Sequence, residues 1–435
     1  MERKIVNDLL KWKDNPDKMP LVVQGARQVG KTYTLLSFGK QHYKNVAYFS
    51  MEESSEINAV FERDLNPERI VRELAAYIGQ TIMPGDTLMI FDEIQACEKA
   101  VTSLKYFTER APQYHIVAAG SLLGVAMKRV KHSFPVGKVD MLYMHPMDFE
   151  EFIWAIGKKD ICDLIKESFA GFTPLSLHEQ AMDLYKTYLV VGGMPHAVQE
   201  YASKKDFDFV SVLQRTLNDS YIADMAKYAT PQEMTRNIAA WASVPAQLAK
   251  VNHKFQYKVI KSGARAGDYE NALDWLTAAG MIYKCVHVTQ GNMPLEAYKE
   301  NETFKVYMVD TGLLCSKFDI TANVVLYTPH SFDGFKGALA ENYICQALVT
   351  NGIKPYYWSS PGKAEVDFVF QNRQGNIIPL EAKSAENVRS KSLRNYRDLY
   401  KPEYSIRVSA KNFGFENGIK SVPLYAVFCL HINDI

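Results

Sequence analysis

No run of about eighteen consecutive apolar residues occurs anywhere in the sequence, which excludes an ordinary membrane-spanning helix. Cysteine is sparse. Cys97, Cys162, Cys285, Cys315, Cys345 and Cys429 stand singly, without a CxxC pair or an accompanying histidine spacing, so neither a zinc site nor a disulfide framework is indicated. A reducing compartment is the simpler expectation. The ten histidines include no HExxH pattern, which removes the commonest helical zinc-hydrolase signature. Charge of either sign is not in excess: 50 Lys plus Arg face 49 Asp plus Glu, a net charge of +1, so no global positive field argues for nucleic acid. There is no internal repeat and no low-complexity tract. The first stretch, Met1 to Asp17, is charged and lacks the apolar core of a secretory signal, so the expected location is cytoplasmic.

What remains is the balance of a globular protein, with 47% apolar and 23% charged residues. A chain of 435 residues exceeds what one hydrophobic core normally organises, and two to four domains are expected. Leu21 to Val23 is a short apolar run that breaks into a Gly-containing loop, after which Tyr33 to Phe38 can start a helix. Val46 to Phe49, Thr87 to Phe91 and Ile116 to Ala119 read as strands. Their continuous rather than alternating apolar character suits a parallel sheet buried on both faces. Phe61, Leu65, Ile70, Leu74 and Ile78 recur at helical spacing and predict one helix over 61–78. Together these make an α/β domain over residues 1–155.

Residues 156–240 read as helical, interrupted at Gly171 to Pro174 and at Gly192-Gly193-Met194-Pro195. The order helix, helix, strand over 241–329 fits a winged-helix-like region, with bland helical packing as the alternative. Residues 330–435 return to α/β character. Gly337 to Val349 predicts a helix, Tyr356 to Trp358, Ala364 to Phe370 and Ile377 to Lys383 predict strands, and Asn372 to Asn376 supplies a hairpin turn.

Gly25-x4-Gly30-Lys31-Thr32 is a complete phosphate loop set between a strand and a helix. Its chemistry follows from the residue types. Glycine lets the loop turn backbone N–H groups toward phosphate, Gly30 opens a helix whose positive end faces that charge, Lys31 contacts the β and γ phosphates, and the Thr32 hydroxyl holds Mg²⁺. Asp92-Glu93 ends an apolar strand, where Asp92 would orient the metal or its water and Glu93 would polarise the attacking water. Ser121, after Ile116 to Gly120, is a candidate for the γ phosphate or that water, with an ordinary helix cap as the alternative. Arg27, Arg110, Lys128, Arg129 and Lys138 are candidate carriers of charge to the transition state. ATP with Mg²⁺ is therefore the expected cofactor set.

In these motifs the chain resembles the prokaryotic AAA-type ATPases that carry a C-terminal domain of unknown function. The resemblance is carried by Val23-x-Gly-Ala-Arg-Gln-Val-Gly-Lys-Thr32, Ile90-Phe-Asp-Glu-Ile94, Ala119-Gly-Ser-Leu-Leu123, Pro146-Met-x-Phe-Glu-Glu-Phe152, Tyr188-Leu-Val-Val-Gly-Gly-Met-Pro195 and Asp310-Thr-Gly-Leu313, in the family's order over nearly the whole chain. It implies a Walker A lysine at Lys31, a Walker B acidic pair at Asp92-Glu93 and a sensor at Ser121. Where such proteins have Gly-Arg, this chain has Gly137-Lys138, which keeps the charge and loses the guanidinium fork.

A second constellation is Glu341, Asp367 and Glu381-x-Lys383. Glu381 and Lys383 are two apart on a predicted strand and share a face, and Asp367 lies on the probable hairpin partner. Asp367 and Glu381 could bind a divalent ion, with Lys383 positioning water or stabilising charge. This resembles the core of restriction-endonuclease-like proteins. The alternative is a solvated row of ion pairs. The expected architecture is thus α/β: a P-loop AAA-type parallel-sheet domain, a helical and winged-helix-like region, and a C-terminal restriction-endonuclease-like domain. Three functions stay open: Mg²⁺-dependent ATP hydrolysis coupled to conformational change or partner binding, ATP-regulated nucleic-acid processing with a nuclease site, and a nucleotide-dependent scaffold. A protein partner, DNA or RNA, and a homo-oligomer are all compatible with it.

Overall fold

The computed structural model describes residues 1–121, 135, 137–250, 254–327, 333–360, 364–384 and 391–432. Two compact units divide the chain. One holds residues 2–145 and 278–280, and the other holds residue 1, 146–277 and 281–435. No helix among the described residues is long and apolar enough to cross a membrane.

In the first unit the elements run α1 (Ile5–Asp14), β1 (Leu21–Gln24), α2 (Lys31–His42), β2 (Asn45–Ser50), α3 (Ser55–Arg63), α4 (Pro67–Ile78), β3 (Thr87–Asp92), α5 (Glu98–Arg110), β4 (His115–Gly120) and β5 (Asp140–Tyr143). The five strands form one parallel sheet in the order β2-β3-β4-β1-β5. Every residue of β3 is buried, as a central strand covered on both faces requires. Phe49, Phe61, Phe91 and Leu104 pack together with Ile70 and Leu74 on one side of the sheet. The single helix expected over 61–78 is instead two. Asn66 accepts N–H bonds from Glu68 and Arg69, and Pro67 follows at the first helical position, so the chain restarts a helix there instead of continuing one. The compact unit also ends at His145, ahead of the boundary expected at 155, because Asp148 caps a helix belonging to the second unit.

That second unit begins with α6 (Phe149–Ala155), α7 (Lys159–Gly171), α8 (His178–Val191), α9 (Pro195–Lys204), α10 (Phe207–Tyr228), α11 (Pro231–Leu248), α12 (Tyr257–Ile260) and α13 (Ala266–Ala278). It continues through β6 (Ile282–Val288), β7 (Lys299–Met308), α14 (Thr311–Lys317), α15 (Ala322–Tyr327), α16 (Asp333–Thr350), β8 (Tyr356–Ser359), β9 (Glu365–Gln371), β10 (Ile377–Ala382), α17 (Lys391–Tyr400), β11 (Ser405–Ser409), β12 (Gly414–Glu416) and β13 (Ile419–Pro423). Eight strands form one sheet in the order β12-β13-β11-β10-β9-β8-β6-β7.

Here the boundary expected at 329/330 does not separate two sheets. The β6–β7 hairpin, assigned from sequence to a winged-helix-like region, extends the C-terminal sheet: Val286, His287 and Val288 pair in parallel with Tyr356, Tyr357 and Trp358. Buried aromatic residues on β8 would otherwise form an unpaired apolar edge, and β6 covers it. Trp358, 2% exposed, packs edge-on against Tyr396 and Tyr400, so this aromatic run serves the core and not base stacking.

Two of the motifs in the C-terminal two-thirds meet at a joint inside this unit. Fully buried Asp310 accepts N–H bonds from Gly193 at 2.6 Å and from Leu313 at 2.9 Å. Burial raises its pKa to about 6, against the opposing effect of those backbone donors. A Cβ on Gly193 would sit 1.9 Å from the Met147 carbonyl oxygen, which explains a glycine there without any ligand.

Candidate functional site

Parallel register decides where the phosphate loop and the acidic pair emerge. Val22 and Phe91 each pair with Ala118, so β1, β4 and β3 lie level, and the residues that follow them leave by the same edge. That carboxyl edge is where open parallel sheets hold ligands. It brings Gly25 to Thr32, Asp92-Glu93 and Ser121 to one rim.

The loop is built for close approach. Gly25 has φ 150°, and a Cβ on it would lie 2.1 Å from the Met144 carbonyl oxygen. Gly30, at φ 91°, occupies the N-cap position of α2 and supplies no side-chain cap. The first N–H groups of this helix are therefore left for an anion, at the positive end of its dipole. Buried Lys31 donates to the carbonyl oxygens of Gly25 and Ala26 at 2.9 and 2.8 Å, holding its ammonium over the loop. Arg27 is exposed at the loop's outer side.

Thr32 and Asp92 meet directly: the Thr32 hydroxyl donates to Asp92 Oδ2 at 2.7 Å. Tyr48 donates to the same oxygen at 2.9 Å. Burial first, and then the Asp92 charge, push the Tyr48 hydroxyl well above the ordinary tyrosine value, so it remains a donor at neutral pH. Glu93 takes the left-handed conformation, φ 47°, while its backbone N–H bonds Asp92 Oδ1 at 3.0 Å and its carboxylate accepts from Gln95. A left-handed glutamate is a local strain of about 1–3 kcal/mol that the neighbouring structure must hold in place. A hydroxyl next to a carboxylate is a hard-oxygen set that fits Mg²⁺. Thr32 and Asp92 would hold it, and the ion would supply charge neutralisation at the phosphates.

Among the candidate charge carriers, Lys138 pairs with Glu109 at 3.1 Å and Arg110 lies over the Tyr106 ring at 5.1 Å. Lys128, Arg129 and the end of the Leu122-Leu123 motif lie outside the described residues. Sequence reading missed two supports of this site, Tyr48 and Arg3. Arg3 is buried and donates to the carbonyl oxygens of Val29 and His145, at 2.8 and 2.7 Å, tying down the loop from the N-terminus. The charged segment around it carries no pattern that would have marked it.

The C-terminal carboxylates are gathered as well, around a lysine that the sequence reading overlooked. Lys305 on β7 is 1% exposed, 2.7 Å from Glu365 and 3.5 Å from Glu341, which also accepts from Tyr307 at 3.0 Å. Burial works against its charge, yet Glu341, Glu365 and Asp367 hold its pKa above the ordinary lysine value. Glu381 pairs with Lys383 at 2.7 Å, and Asp367 accepts the Ala382 N–H at 2.8 Å. Burial, followed by the Glu341 charge, raises the Asp367 pKa well above the carboxylate range, although Lys305 opposes this. Among the described residues no set of three or more His, Cys, Asp or Glu side chains is arranged to hold a metal ion. Around the two carboxylates expected to bind a metal, Lys383 is paired with Glu381, and the Lys305 charge acts on Asp367.

Residues 17–153 match the AAA domain family, residues 182–323 match a domain of unknown function (DUF8612), and residues 336–427 match another (DUF4143). No curated protein matches the chain. Solved structures similar to it include a Walker-type ATPase of Pyrococcus abyssi, 14% identical with a TM-score of 0.44, covering 73% of this chain and 95% of that one. The RuvB Holliday junction branch migration motor of Thermotoga maritima is 14% identical with a TM-score of 0.32, over 68% and 91% of the two chains. The Aeropyrum pernix ORC1 protein in complex with DNA is 10% identical with a TM-score of 0.29, over 75% and 91%. The match of residues 17–153 to the AAA domain family supports nucleotide binding and ATPase activity.

Proposed function

We propose that the protein binds ATP with Mg²⁺ at the Gly25–Thr32 loop, hydrolyses it with Glu93 as the water-polarising base, and couples turnover to a conformational change or to a partner. The observation that carries this reading is the uncapped start of α2 beside the Thr32–Asp92 hydrogen bond. The loop N–H groups and Lys31 bind phosphate, Thr32 and Asp92 orient the metal's side of the site, and Glu93 holds the acceptor for a water proton. Removing the ammonium in Lys31→Ala costs hydrogen bonds to a charged group, each worth roughly 1.5–3 kcal/mol. Calorimetric titration should therefore show ATP affinity falling by about tenfold or more. Wild-type affinity in the folded variant would reject the assignment.

For the C-terminal unit we infer a charge-compensated scaffold in which Lys305 and Lys383 take the place of a metal. The metal-dependent nuclease alternative has one observation in its favour: Glu381 is 3% exposed and its Oε2 has no hydrogen-bond partner. Manganese titration followed by electron paramagnetic resonance, in a Lys31→Ala background that weakens the nucleotide-linked site, separates the two. The scaffold predicts no bound manganese in the C-terminal unit. A signal removed by Asp367→Ala with Glu381→Ala would instead establish the metal site.

A further inference from the structure

The C-terminal unit carries a cleft of about 850 Å³ between α17 and the β11–β13 edge of the sheet. Among the described residues, Lys391, Arg394, Arg397, Lys401 and Arg407 line it, against the one carboxylate of Asp398. On a chain of net charge +1 this is a marked local concentration of cations. Lys391, Arg394 and Arg397 recur every three residues along one face of α17, spread over ~9 Å at ~1.5 Å per residue, and Lys401 stands just past the helix end in a left-handed backbone conformation, φ 46°. Buried Tyr396 anchors α17 by packing on Trp358, and buried Leu393 lines the cleft beside the cations. Arg397 is tied to the Asn417 carbonyl oxygen at 2.6 Å. Arg407 enters from β11, and its buried Nε has no hydrogen-bond partner.

From this arrangement we propose that the cleft binds the phosphodiester backbone of a nucleic acid. A row of cations fits successive phosphates better than it fits one phosphate group. Three of the five are arginines, whose planar fork matches phosphate oxygens in two-point contacts. Among the described residues no aromatic side chain lines the cleft, so backbone contact without base stacking is expected, and the binding should tolerate sequence changes. This does not rest on ATP turnover.

The test uses the full chain without nucleotide, and labelled duplex and single-stranded DNA of about 30 residues, in fluorescence anisotropy across a salt series. Arg394→Glu with Lys401→Glu should weaken binding at least about tenfold at low salt, and should flatten the slope of log K against log salt by about 2. Arg394→Gln with Lys401→Gln serves if charge reversal lowers the melting temperature. The relative affinity of the two DNA forms tells whether a duplex or a single strand is preferred. Unchanged affinity in the folded variants, or no binding by the wild-type chain, would overturn the proposal. Displacement of DNA by poly-glutamate of equal charge would assign the cleft to an acidic protein and overturn it as well.

Discussion

Glu93→Gln is expected to keep ATP bound while steady-state phosphate release falls by about 10² or more, the usual contribution of a positioned proton acceptor. The substitution is nearly isosteric and leaves Asp92, Thr32 and Lys31 in place, so it removes basicity and little else. Its force comes from local geometry. Glu93 holds a left-handed backbone at the end of β3, and Gln95 orients its carboxylate. The left-handed turn at Glu93 opens the short 3-10 helix Ile94–Ala96, which brings Gln95 to its carboxylate. Calorimetry should give wild-type ATP affinity for the variant. Phosphate release at the wild-type rate would remove Glu93 from the chemistry and assign the activation of water to another group.

The nucleotide site was legible because its function is written in local chemistry. Gly25, Gly30, Lys31 and Thr32 fall within eight residues at a turn into a helix whose conformation needs those residue types, and Asp92-Glu93 terminates a run that only a buried parallel strand explains. Tyr48 and Arg3 were not legible, since each reaches the site through tertiary contacts that leave no spacing signal. The break between α3 and α4 was readable in principle from Asn66-Pro67, but the apolar period across it, Phe61 to Ile78, masked the cap. In the C-terminal unit β8, β9, β10 and the Asn372–Asn376 hairpin followed from residue type and turn chemistry, while β11 to β13 were not read. The attachment of β6 to β8 did not, because parallel pairing joins segments far apart in sequence with no turn to announce it.

Lys305 shows the same limit with a larger energetic consequence. In the sequence it is one lysine within Phe304-Lys-Val-Tyr-Met308, the apolar second half of a strand that begins polar. In the fold it is the buried cation among Glu341, Glu365 and Asp367. Lys305→Met retains volume and removes the charge, which leaves carboxylates without compensation. Breaking a buried pair from one side costs about 3–5 kcal/mol, far more than the net worth of the intact pair. Urea denaturation should show that loss, and hydrogen exchange should place it in β7 and β9.

The pH dependence distinguishes lost charge from lost packing. Asp367 already has a folded pKa above its unfolded value, so its favourable contribution is complete below the unfolded value and is lost as pH rises through the folded one. Without Lys305 the carboxylates stay buried only by taking up further protons, and the folded state then binds more protons than the unfolded chain. The penalty must grow from pH 5 to pH 8. Adding Glu365→Gln to Lys305→Met should recover part of the stability at pH 8 and little at pH 5. A loss below about 1 kcal/mol, or one that is equal at both pH values, would show that Lys305 is not the cation that holds these carboxylates together.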